Sequence, residues 1–443
     1  MFSNKDLRKL IIPLVIEQLL AVTIGMADTV MVSSCGEAAV SGISLVDSIN
    51  FLLITLFSSL ATGGAVIASQ YIGRGDHKSA SLAAKQLFYA SLALSAVLGV
   101  IAVFFRKPVL NMVFGSIEAD VMAHAQIYFL LSAISYPFLA VYNAGAALFR
   151  SMGDSRTTML ISILMNTINI VGNAILIYGF QMAAAGAATA SLVSRAVGAI
   201  IITVLLLNPR RIIFYDKLHK PEIHFSMLKS ILQIGVPNGL ENSIFQIGKI
   251  LVASIVSGFG TISITANAVA GNLASLQVIP GMALGMAMIT VVGQCIGAKD
   301  YEAVKKYTKK LMLITYGVVW AMTLLMLLFS KQILSFYSLS EETTTMTMEV
   351  FIVHGICAVI VWPLAFALPN ALRAANDVRF TMIVSLLSMW IFRIGFSYIL
   401  AIYFNMGILG TWIAMCIDWF CRGACFVIRF ARGKWKNISF IDN

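Results

Sequence analysis

Stretches of twenty or more residues with scarcely a charge recur along the whole of this chain, and they limit what it can become. A helix needs about 20 apolar residues to cross a bilayer, where no water is available to an unpaired backbone group. Spanning segments are therefore helices or strands of a closed barrel, and runs this long and non-alternating are helices. They lie near residues 9–32, 43–68, 84–105, 121–146, 157–178, 185–207, 229–257, 264–292, 309–329, 347–370, 380–403 and 408–430. Composition agrees: 59% of the residues are hydrophobic and 12% charged, against about 25% charged in a soluble domain. A water-facing fold and a disordered chain are both excluded. The first apolar run starts near Leu10 and continues for more than twenty residues, unlike a cleavable signal peptide.

The net charge of +11 follows the topology. With both termini in the cytoplasm, 24 of the 31 Lys and Arg residues fall on the cytoplasmic side. Only Arg106, Lys107 and Lys331 fall in outer loops, and Arg195, Lys249, Arg393 and Arg422 lie inside spans. That asymmetry is the positive-inside signature of a membrane protein, not a nucleic-acid patch. The six cysteines have no paired CxxC spacing and read as packing residues.

The chain also repeats itself. At an offset of 224, Pro13 meets Pro237, Glu17 meets Glu241, and QYIGRGD (70–76) falls on QCIGAKD (294–300). At 223, Arg150, Asp154, Arg156 and Gly172 meet Arg373, Asp377, Arg379 and Gly395. Six spans per repeat is an even number, so the two halves run parallel about an axis along the membrane normal; in transporters so built the substrate path lies between halves. The expectation is an all-α integral membrane protein with twelve transmembrane helices in two pseudo-symmetric lobes: residues 1–207, a cytoplasmic linker 208–228, residues 229–430, and a cytoplasmic tail 431–443. The QxIGxxD segments read as tight turns, with Gly ending one helix and Asp capping the next.

Carboxylates within the spans are the informative residues, since each costs roughly 2.5–3.5 kcal/mol to insert. They are Glu17, Asp28, Asp47, Glu241 and Asp418. Glu17 and Asp28, eleven residues apart, share one stripe of the first span about 16 Å apart, as an ion or proton path requires. Pro13 and Gly25 permit bending nearby. Asn166, Asn169 and Asn173 lie on one face of the fifth span; their amides suit Na⁺, or a protonated acid, or a plain interhelical ladder. In the second half Asp28 maps onto Val252 and Gly25 onto Lys249, which shares a face with Glu241 and reads as a built-in cation. Arg195 and Asp418 occupy equivalent positions and are expected to pair between halves. The sequence has no GxxxxGK[ST], HExxH or GxSxG, and its five histidines form no ligand pattern. No cofactor or metal is expected, beyond Na⁺ at Asp28, Asn169 and Asn173; energy comes from an ion gradient.

IIPLVIEQLL with GMADTVMVSSCG, SQYIGRGD with its echo GQCIGAKD, ALFRSMGDSR with ALRAANDVRF, and NTINIVGNAILIYG leading into GAATAS resemble the multidrug and toxic compound extrusion (MATE) family, over nearly the whole chain. The resemblance implies two six-helix lobes in a V and export of bulky, often cationic amphiphiles in exchange for H⁺ or Na⁺. The family's first-span acid matches Asp28. Its first-lobe cation site in some members matches Asn169, Asn173 and Ser191, with Asn173 standing where those members have an acid. The two acids of another branch fall here on Phe245 and, approximately, Trp362. The expected activity is thus not enzymatic: a plasma-membrane antiporter, acting as a monomer on small organic substrates without nucleotide or nucleic acid. Coupling is expected at Asp28, Glu17, Asn169, Asn173, Ser191 and Glu241, with Lys249 and Asn166 modulating or lining the cavity. A lipid-linked saccharide flippase of the same superfamily is the nearest rival and would need a strongly basic cavity. A membrane-embedded enzyme or a channel fits less well.

Overall fold

The computed structural model describes residues 2–115, 118–216, 218–337 and 339–440, and of 23–29 the backbone alone. Among these residues there are helices and no strand. Twelve long helices follow one another: α1 (Asn4–Ser33), α2 (Glu37–Arg74), α3 (His77–Phe114), α4 (Ala119–Ser151), α5 (Ser155–Gly179), α6 (Ala183–Leu206), α7 (Phe225–Ser257), α8 (Thr261–Gly297), α9 (Tyr301–Leu328), α10 (Glu341–Ile360), α11 (Val378–Tyr403) and α12 (Gly407–Ala431). The tenth continues after Val361 and Trp362 through Pro363–Ala367 and Leu368–Ala374. Each coincides with an expected span. Helices α2 to α12 each carry a stretch long and apolar enough to cross a bilayer. In α1, residues 23–29 are described by their backbone alone.

The chain divides into two compact units, Met1–Gly239 and Leu240–Asn443. In the first, α4 packs between α2, α3 and α6, and α5 lies against α1 and α6. Phe57, Phe129, Tyr136 and Leu110 fill its core. In the second, α8 packs on α9 and α10, and α12 on the later part of α10 and on α11. Its core is built on Trp362, Trp412, Trp419 and Phe351. Helix association in lipid depends on close packing more than on apolar burial, so small residues mark the contacts. A Cβ on Gly63 of α2 would stand 2.5 Å from the Ile231 carbonyl oxygen and 2.9 Å from the Gly235 nitrogen. Helix α2 and the first half of α7 therefore meet backbone to backbone, and α7 as far as Gly239 belongs with the first unit.

The expected linker is docked on that unit. Gln86 donates to the Glu222 carbonyl (2.7 Å) and accepts from the His224 amide (3.0 Å), Tyr89 donates to the Leu218 carbonyl (2.8 Å), and Tyr215 is buried. The tail is docked likewise on the second unit, where Trp435 stacks on Phe430 and is 1% exposed.

Four helix–helix corners share one construction, a residue with left-handed backbone followed by Asp. They are Gly75–Asp76, Gly153–Asp154, Lys299–Asp300 and Asn376–Asp377, with φ of 81°, 81°, 57° and 67° at the first residue. Asp76, Asp154 and Asp300 accept the amides of Ser79, Thr157 and Ala303. The Ser79 bonds hold the Asp76 carboxyl below its ordinary range. Asp377 instead takes Arg429 through both oxygens, at 2.6 and 3.0 Å. The QxIGxxD segments are thus turns as expected, but their glycines, Gly73 and Gly297, remain helical. The reversal comes two residues later, because the αL residue must directly precede the capping Asp. Arg106 and Lys107 likewise lie in helix, not in a loop: α3 kinks at Phe105 (φ −106°, ψ 17°), near Pro108, and runs on to Phe114.

Replacing Gly63 by Ala should lower the unfolding temperature in detergent, since overpacking costs about 1–3 kcal/mol. Gly271→Ala, whose Cβ would meet nothing within 4 Å, should leave it unchanged.

Candidate functional site

The carboxylates that the repeat places in register have equivalent partners. Glu17 of α1 accepts from Arg150 Nη1 (3.3 Å) at the end of α4 and from Thr158 Oγ1 (2.8 Å) in α5. Glu241 of α7 accepts from Arg373 Nη2 (2.7 Å) and from Ser385 Oγ (2.7 Å) in α11. Both acids are buried, at 7% and 6% exposure. Each unit therefore ties its first helix to its fourth and fifth through one glutamate. Ionised groups in a low-dielectric medium are tolerated when paired and hydrogen-bonded in this way. The sequence reading did not reveal these pairs, although Arg150 and Arg373 recur at nearly the same offset as the two glutamates.

The fifth-span amides do come together with the sixth-span hydroxyl. Asn169 donates to Ser191 Oγ of α6 (3.1 Å), and Asn173 donates to Asn169 Oδ1 (3.4 Å). Both asparagines are buried. Asn166 stands apart from that chain and donates to Ser162 on its own helix (3.3 Å). Immediately after Asn173 the helix loosens into π-type turns over Ala174–Gly179, the kind of irregularity often found at functional sites. Asp28 belongs to α1, which packs against α5, but its side chain lies outside the described residues.

Asp47, singled out as an intramembrane acid but not placed in the expected site, anchors a second polar network in the first unit. It accepts from Tyr128 (3.1 Å) and Asn50 (3.2 Å), while Asn50 donates also to Ser132 and accepts from Tyr136 (2.8 Å). Arg195 donates to Ser135 at 2.7 Å in the same region. In the second unit Asp418 accepts from Ser388 and faces Arg422 at 3.6 Å.

In the second unit Lys249 lies over the Phe245 ring, 5.2 Å from its centroid, and is not bonded to Glu241, which Arg373 and Ser385 occupy. Phe245 stands edge-on to Phe366, which stacks on Trp362. The two positions where another branch carries acids are therefore aromatic and belong to one cluster. Among the described residues no group of three or more His, Cys, Asp and Glu could hold a metal.

Glu241→Gln should destabilise the protein by about 3–5 kcal/mol, because it leaves Arg373 as a buried unpaired charge. Adding Arg373→Met should recover much of that loss. Denaturant unfolding in micelles checks both, and a single variant as stable as the parent would show that the pair carries no such constraint.

A family profile described as MatE matches residues 13–175 and again 237–399, one match in each half. The chain is 26% identical to the uncharacterized transporter YisQ of Bacillus subtilis (strain 168), over 96% of this chain and 93% of that protein. It is also 26% identical to the probable multidrug resistance protein NorM of Thermotoga maritima, over 98% and 93%. Among solved structures, an outward-facing multidrug resistance MATE family transporter of the MOP superfamily superposes with a TM-score of 0.89. It shares 20% identity and covers 98% of this chain and 97% of that one. With twelve membrane helices, a six-plus-six repeat and the family profile in both halves, this chain belongs to the MATE family of multi-pass membrane transporters.

Proposed function

We propose that the chain is a cation-coupled antiporter that exports amphiphilic organic compounds from the cytoplasm in exchange for H⁺ or Na⁺. It would act in the plasma membrane with both termini cytoplasmic, by alternating access of an N-lobe (1–207) and a C-lobe (229–430) joined by 208–228. The observation that carries the ion site is the chain Asn173–Asn169–Ser191, with both asparagines buried, set in two helices beside the one that holds Asp28. The cargo class is supported by similarity to a probable multidrug resistance protein.

In the proposed cycle Asp28 takes up the ion in the outward-facing state, α1 bends near Pro13 and Gly25, and substrate affinity falls. The return to the inward-facing state releases the ion and accepts new cargo. Glu17 gives this step a mechanical link, because its two oxygens join α1 to α4 and α5. Neutralising it would loosen both contacts at once. Glu241 would do the same between α7, α10 and α11, and Lys249 would supply a fixed cation in place of an exchangeable one. Asn166, bonded along its own helix, would modulate the site from one turn away.

Efflux of a fluorescent organic cation from proteoliposomes, under proton and sodium gradients imposed separately, tests this reading. Asp28→Asn should reduce gradient-driven efflux to background while expression stays normal; retained uphill efflux would sink the proposal. Asn173→Asp adds the negative charge that some members carry there, and should shift coupling toward Na⁺, read as a steeper dependence of efflux on the sodium gradient.

A further inference from the structure

Three cations, Lys249 of α7, Arg393 of α11 and Arg422 of α12, gather on the Phe245 ring, 5.2, 6.0 and 5.5 Å from its centroid. They come from helices far apart in sequence, so the cluster is a product of the fold. One carboxylate faces them, Asp418, which Ser388 also contacts and whose Oδ2 lies 3.6 Å from Arg422 Nη2. The other acids of these helices are committed elsewhere: Glu241 to Arg373, and Asp377 to Arg429. Among the described residues, three cations thus face one carboxylate inside a membrane-spanning unit. Among the described residues Glu17, Glu241 and Asp377 each have an arginine partner instead.

The donors are also unspent. Arg422 is 3% exposed, yet its Nε and Nη2 have no hydrogen-bond partner, and neither does Arg393 Nε. A buried donor without a partner is costly, and the face of an aromatic ring replaces a counter-ion only weakly. The guanidinium fork fits a carboxylate or phosphate in two-point geometry, and a lysine adds a mobile point charge. Lys249 is exposed, so one edge of the cluster is open to a ligand. Phe366, edge-on to Phe245 with ring centroids 6.1 Å apart, adds a second aromatic wall. Rings so placed favour an aromatic body next to the anionic group.

We infer that this cluster is an anion-binding site, and that it takes the carboxylate or phosphate of an aromatic amphiphile. That such a compound is cargo rests on the export reading above; the binding does not. The three cations serve a neutralising and orienting role, with Asp418 holding Arg422 in place while the site is empty of ligand.

Full-length transporter in phosphatidylcholine nanodiscs, with no ion gradient, is titrated calorimetrically with 1-naphthylacetate, 1-naphthyl phosphate and 1-naphthylmethylammonium. At least one of the two anions should bind tighter than the ammonium by roughly tenfold or more, and Lys249→Gln with Arg393→Gln should weaken it by roughly tenfold or more. Where that double variant does not fold, Lys249→Gln alone, on the open edge, should weaken it by about threefold. Equal affinity for anions and ammonium, or unchanged anion affinity in the variants, overturns the site. Loss of anion binding when phosphatidylglycerol replaces phosphatidylcholine identifies a lipid phosphate as the occupant and overturns the assignment to a soluble amphiphile. Intact anion binding in a protein that fails the gradient-driven efflux assay upholds the site and counts against the export reading alone.

Discussion

Charge inside a hydrocarbon slab is the constraint on which the rest of this molecule depends. Twelve helices satisfy their own backbones, so what remains to be arranged is the small set of ionisable side chains that the spans carry. Several acids are paired within their own unit: Glu17 with Arg150, Glu241 with Arg373, Asp377 with Arg429. Each pair crosses between helices of one unit and so serves as a fastening as well as a neutralisation. Against that background, a patch where the charges do not cancel is conspicuous. It lies where a transporter built from two similar halves has made them differ.

The halves share their fastenings and diverge in their interiors. The first unit carries amides, hydroxyls and an acid at Asp47, whereas the second replaces the corresponding apparatus with aromatic rings and cations. The repeat thus keeps its frame and changes its contents.

Much of the frame was legible in the sequence. Long apolar runs fix the helices, lysine and arginine placement fixes the expected sidedness, and the offsets of 223 and 224 expose the duplication. The approach of Asn173, Asn169 and Ser191 could be anticipated because helical spacing and a family pattern pointed to the same residues. The glutamate–arginine pairs were not anticipated, although all four residues recur in register, because their partners lie 133 and 132 residues apart. The grouping of Lys249, Arg393 and Arg422 on one ring was beyond reach, since it requires the relative rotation of three helices about their axes.

The recurring corner of a left-handed residue and an aspartate has a consequence for how such a molecule can deform. It clamps α2 to α3, α4 to α5, α8 to α9 and α10 to α11 at one end of each hairpin. Hairpins pinned there keep their separation at that end. Compliance is left to the interiors of the rods, where the backbone is already wound wide at 174–179, 363–367 and 389–395. Two of these soft joints adjoin or include Asn173 and Arg393, residues of the two proposed sites, so flexing there would reshape those sites directly rather than by relay.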